Sequence, residues 1–93
     1  MNDYDTITDY DHLMIMYATW GETVEDIKEN DDSILSIIEN ADPEYQLPMT
    51  EFLEEALLEL KPLMTKSDFV EKNSRALNLY HKIIKEHGFE SKV

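Results

Sequence analysis

The stretch SDFVEKNSRALNLYHKIIKEHGF, residues 67–89, reads from end to end as one capped helix. Ser67 is a good N-cap and predicts a helix over Asp68–His87, the longest in the chain. Phe69, Ala76, Leu77, Tyr80, Ile83 and Ile84 recur at the spacing of a core-facing stripe. His87 suits the negative end of the helix dipole. Gly88 fits the left-handed residue that follows a last turn, and Phe89 stands where a Schellman closure places a hydrophobic contact with Ile84.

The same grammar extends toward the N-terminus. Pro62 predicts the end of a helix that begins after Thr50 and carries Leu53, Ala56, Leu57 and Leu60 on one face. Ala41–Pro48 reads as a loop, because Asp42 precedes a proline and a second proline stands at position 48. Asp31 or Asp32 caps a helix over Ser33–Asn40 with Ile34, Leu35, Ile37 and Ile38. Thr23 opens a short helix, Val24–Asn30, with Asp26 at the capping-box position. Thr8 caps a helix over Asp9–Trp20, with Leu13, Met16, Tyr17 and Trp20 as its stripe and Gly21 as its stop. No segment alternates like a strand. The expected fold is all-α, a small bundle of four to five helices in a single acidic domain over residues 1–93. Residues 1–7 are expected to be flexible and 89–93 to form a frayed tail.

The chain has 93 residues and a formal net charge of −13. That charge is unevenly placed. Residues 1–60 hold 17 acids against the single base Lys28, whereas residues 61–93 hold four acids against seven bases. The first part therefore carries −16 and the second +3. With no cysteine, disulfides, thiolate metal sites and thiol nucleophiles are excluded. The acidic opening does not resemble a signal peptide and no apolar run reaches membrane-spanning length, so a cytoplasmic protein is expected. Phosphates would repel this charge, which argues against nucleic acid or an anionic membrane as direct partner.

Nothing in the sequence supports catalysis. Asp3, Asp5, Asp9 and Asp11 lack the glycine and terminal glutamate of an EF-hand loop. His81 and His87 are six apart and cannot form a helical zinc pair. No glycine-rich phosphate loop exists. No metal, no cofactor and no enzymatic activity are expected.

Three stretches look like known motifs. Residues 23–40, TVEDIKENDDSILSIIEN, resemble a helix-turn-helix, but Asp31, Asp32 and Glu39 stand where a DNA reader needs bases or amides. Residues 46–53, QLPMTEFL, match a loose clamp-binding pattern whose apolar positions also suit a helix start. Asp32-Ser33-Ile34, with Val24–Ile27 before it and Glu44–Pro48 after it, resembles the modification site of acyl carrier proteins. That resemblance implies a phosphopantetheine on Ser33, and it stops at the missing glycine before Asp32 and the long chain after Pro48. An Asp-Ser pair capping a helix accounts for the same residues.

The acids themselves carry the leading expectation. Glu25/Glu29, Glu51/Glu55 and Glu55/Glu59 are like-charge pairs at i, i+4, about 6 Å apart on their helix surface. This is close to the spacing of phosphates along a nucleic-acid strand. Glu22, Glu25, Asp26, Glu29, Asp31, Asp32, Glu51, Glu55 and Glu59 are the candidate binding residues, with Tyr45 as an anchor and Tyr4, Tyr10 and Tyr17 beside other acids. The expected function is non-enzymatic: inhibition or sequestration of a basic nucleic-acid-handling protein through a nucleic-acid-mimicking surface. Anti-CRISPR, anti-restriction and nuclease-immunity proteins share this profile of size and charge. The alternative is an adaptor that docks through apolar helix surface, with Lys72, Arg75 and Lys82 as a basic stripe. The basic last helix is expected to pair with the acidic body either within one chain or across a homodimer.

Overall fold

Pro43–Leu60 forms the longest helix and the axis of the molecule in the computed structural model, which describes residues 7–93. Asp3, Tyr4 and Asp5 lie outside the described residues. The order of elements is α1 (Asp9–Ala18), α2 (Trp20–Lys28), α3 (Asp32–Asn40), α4 (Pro43–Leu60), a 3-10 turn at Lys61–Leu63, α5 (Lys66–Lys72) and α6 (Ser74–Glu86). There are thus six α-helices, not four or five, and no strand among the described residues.

The central place of α4 follows from its pattern. Met49, Phe52, Leu53, Ala56 and Leu57 cover a broad arc of its surface and are all fully buried. α1, α2, α3 and α6 pack around that arc and contribute Leu13, Met16, Val24, Ile27, Leu35, Ile38, Tyr80 and Ile83 to one continuous core. Burial of each large side chain is worth about 1.5–3 kcal/mol. Among the described residues no buried side-chain nitrogen or oxygen lacks a partner.

Two expected boundaries are confirmed in atomic detail. Thr8 caps α1 in a reciprocal capping box: its hydroxyl accepts from the Asp11 amide at 3.2 Å, and Asp11 accepts from the Thr8 amide at 3.1 Å. The bonds that the Asp11 carboxylate accepts from the Thr8 amide and then from the Thr8 hydroxyl, the latter at 2.8 Å, hold it below its ordinary pKa. At the other end of the chain, Gly88 has φ +76°. The Phe89 amide reaches the Ile84 carbonyl at 2.8 Å and the Gly88 amide reaches Lys85 at 3.1 Å, the two bonds of a Schellman closure.

Several expectations are corrected. The predicted helix Asp9–Trp20 stops at Ala18, because the Thr19 hydroxyl bonds back to the Ile15 carbonyl at 2.8 Å and Thr19 leaves helical angles. Gly21 therefore lies inside α2 rather than ending α1, and Thr23 is a buried residue of that helix rather than its cap. The expected loop Ala41–Pro48 is mostly helix. Pro43 occupies the first helical position, where its fixed φ is favourable, and Pro48 sits within α4. The Thr50 hydroxyl donates to the Leu47 carbonyl at 2.6 Å, so it is not a cap. The Gln46 amide donates to Ile38 and Glu39, satisfying the last carbonyls of α3.

Asn73 divides the predicted helix Asp68–His87. Its buried amide bonds the Phe69 carbonyl at 3.0 Å, an i−4 contact that competes with the helix ladder, and its backbone leaves helical angles. Thr65, not Ser67, caps the first piece, accepting from the Asp68 amide at 3.1 Å. Residues 89–93 form no helix and lie along α6. Ser91 pairs with His81 at 3.2 Å, the Lys92 amide donates to the Tyr80 hydroxyl at 3.3 Å, and Val93 packs against the core.

Candidate functional site

On α4 the positions opposite the buried arc are Glu51, Glu54, Glu55, Leu58 and Glu59, spaced i, i+3, i+4, i+7, i+8. They form one stripe. On α2 the positions opposite Val24 and Ile27 are Glu22, Glu25, Asp26 and Glu29, again one stripe and bordering a shallow surface depression with Gly21. Helix packing brings an edge of each stripe into contact with the other helix. Trp20 of α2 donates its indole N–H to Glu55, and further along both helices Lys28 lies 3.3 Å from both Glu25 and Glu59.

Lys28 is only 19% exposed between these partners, which are themselves 63% and 48% exposed. The hydrogen bonds it donates, to Glu25 first and then to Glu59, raise its pKa above the ordinary lysine value. Of the other carboxylates on α4, Glu51 is exposed, whereas Glu54 and Glu55 are partly buried. Trp20, Glu51, Glu54, Glu55, Leu58 and Glu59 line an open trough of about 570 Å³, with Lys92 of the tail at its edge, 3.7 Å from Glu54. Behind the trough, Tyr17, Trp20 and Phe52 pack as an aromatic trio with ring centres 4.5–5.6 Å apart. Partial burial, then the charge of Glu51, pushes the Tyr17 phenol above its ordinary pKa.

Of the sequence-predicted residues, Glu51, Glu55 and Glu59 line the trough, Glu22, Glu25, Asp26 and Glu29 border the depression on α2, and Lys28 bridges the two groups through Glu25 and Glu59. Asp31, Asp32 and Tyr45 join neither group. Asp31 caps α3, accepting from the Ser33 hydroxyl at 2.6 Å and its amide at 2.9 Å, and those bonds hold its carboxyl below the ordinary value. Asp32 is paired with Arg75 of α6, which also donates to the Ser36 hydroxyl at 3.0 Å. Arg75 is therefore occupied and does not join Lys72 and Lys82 in an open basic stripe. Tyr45 packs half-buried against the core, ten residues before Glu55 along α4.

Sequence reasoning misses Glu54, Trp20 and Leu58. Glu54 is legible, since it stands at i+3 from Glu51. Trp20 falls by spacing into the core stripe of a helix that ends before it. Among the described residues no three His, Asp or Glu side chains converge to hold a metal ion, and no helix is long and apolar enough to cross a membrane. No protein-family profile, no curated protein and no solved structure matches this chain.

Proposed function

We propose that this protein binds and blocks a basic, nucleic-acid-handling protein through the joined acidic stripes of α2 and α4. One observation carries the reading: acidic stripes on two packed helices are joined at Lys28, which pairs with Glu25 of α2 and Glu59 of α4. Carboxylates on successive turns, about 6 Å apart, offer a Lys/Arg-lined groove a ladder of charges in place of phosphates. The stripes are held rigid by the α2–α4 packing behind them, so little ordering entropy opposes docking. Trp20 and Leu58 supply apolar contact within the acidic field. Association of this kind is fast and weakened by salt.

The test is capture of the partner by the purified protein at low and high salt, with duplex DNA as competitor. Capture of a nucleic-acid enzyme that DNA displaces and salt weakens is the expected result. Reversing Glu25, Glu29, Glu55 and Glu59 to lysine together should abolish it, each reversal costing at least about tenfold in affinity. Binding that is indifferent to salt, DNA and these reversals would overturn the proposal.

A further inference from the structure

Among the described residues two apolar surfaces stay largely uncovered, and the charges flanking them are opposite in sign. The first is on α1. Ile7 just before the cap, then Tyr10, Met14 and Tyr17, follow a 3-4-3 spacing, the a/d pattern of a helix that packs against another chain, and they are 58%, 55%, 40% and 37% exposed, Tyr17 also touching Trp20 and Phe52 along one edge. The core of their own chain is served by a different face of α1, Leu13 and Met16. The charged residues on this helix are Asp9 and Asp11, with no lysine or arginine.

The second surface is a half-enclosed groove of about 530 Å³ between α5, α6 and the end of α4. Its walls are Phe69, Val70, Leu77 and Val93, and its rim carries Lys61, Lys66 and His81. Among the described residues neither lysine takes part in an ion pair. Val70 is 49% exposed there, and Leu63 in the adjoining turn is 72% exposed. An apolar floor with lysines at its edge fits an apolar helix flanked by carboxylates.

From this complementarity we infer that the α1 stripe of one copy docks in the α5–α6 groove of a second copy. The two surfaces cannot meet within one chain. Asp9 accepts from the Asp42 amide at the start of α4, whereas Lys61 follows its last residue, and the 18 residues between span about 27 Å. The contact is therefore heterologous, and repetition builds open chains unless its rotation closes a ring. Each copy carries −13, but the docking surfaces are locally opposite in sign. At physiological ionic strength repulsion between the distant acidic faces is screened beyond about 8 Å.

Sedimentation equilibrium tests this with the whole chain. The wild-type mass should climb past that of a dimer as concentration rises about a hundredfold, by mass action. Tyr10→Glu with Met14→Glu blocks the stripe, and Val70→Glu blocks the groove. Both variants place good helix formers on exposed helix positions, so circular dichroism should be unchanged. Each alone should remain at the monomer mass of 10.9 kDa. Mixed in equal amounts they should form a one-to-one dimer and stop there, since one intact stripe meets one intact groove. Lys61→Glu with Lys66→Glu, confined to the rim, should weaken association by about tenfold or more. A wild-type protein that stays monomeric, a mixture with no dimer, or blocked variants that associate like wild type would each overturn the inference.

Discussion

The acidic stripes of α2 and α4 and the basic-rimmed groove of α5 and α6 differ in how their charges are held. Along the stripes like charges crowd together and Lys28 ties two of them at the seam between the helices. Around the groove the lysines are widely spaced over an apolar floor. Crowded carboxylates store mutual repulsion that a basic partner would relieve, whereas the groove offers chiefly apolar area and a few orienting charges. The two are not independent. α4 bears the acids on its outer side while its inner side packs against α6, and Lys92 and the Tyr80 hydroxyl both reach Glu54 across the boundary, at 3.7 and 3.5 Å.

The largest effect expected is one that breaks both regions at once. Phe52 is fully buried at the centre of α4 and stacks on Trp20 and Tyr17, directly behind the acids. Phe52→Ala should cost about 3–5 kcal/mol through lost burial and the cavity left behind. For a domain of this size each kcal/mol lowers Tm by about 4–8 °C. Thermal unfolding should show a single transition at greatly reduced temperature. Separate melting of the two regions would show that α4 does not couple them.

How much of this is legible in the sequence depends on which residue makes each decision. Gly88 is readable because a positive φ almost demands glycine. Asn30 makes the same closure after α2, at φ +62°, with the Asp31 amide on Asp26 and its own on Ile27, and it escapes notice because asparagine is only tolerated there. Thr19 and Asn73 break helices by bonding i−4 carbonyls, a choice that neither residue type announces. Each acidic stripe is visible by spacing alone. Their joining at Lys28 is not, since long-range packing of α2 on α4 decides it. The tertiary fold likewise removes Asp32 from the site by giving it to Arg75.

A smaller perturbation sharpens the comparison by acting at its boundary. Gly88→Ala forces an L side chain into the left-handed region, at about 1–2 kcal/mol. No neighbour lies within 4 Å of the added carbon, so the cost is conformational rather than steric. The tail beyond Gly88 should loosen, freeing Glu54 from Lys92. Amide exchange at Lys92, whose N–H is held by Tyr80, should quicken more than exchange in α2. Equal quickening in both would mean that the tail does not connect the two regions.

The smallest and most diagnostic change is Lys28→Met, which keeps the aliphatic stem and removes the charge between Glu25 and Glu59. Three consequences separate an electrostatic seam from a merely packed one. Tm should fall more at low salt than at high, because the repulsion left behind is screened by ions. The groove should not respond, so self-association should match wild type. The pH dependence follows from the direction of the Lys28 shift. Its folded pKa lies above the ordinary 10.5, so its stabilisation is fully present below that value and is lost as pH rises through the folded one. The Tm difference between wild type and variant should therefore hold steady through neutral pH and narrow only in the alkaline range beyond 10.5. A difference that is insensitive to salt and persists undiminished at high alkaline pH would assign Lys28 a packing role, and the carboxylates around it would need no cation to stand together.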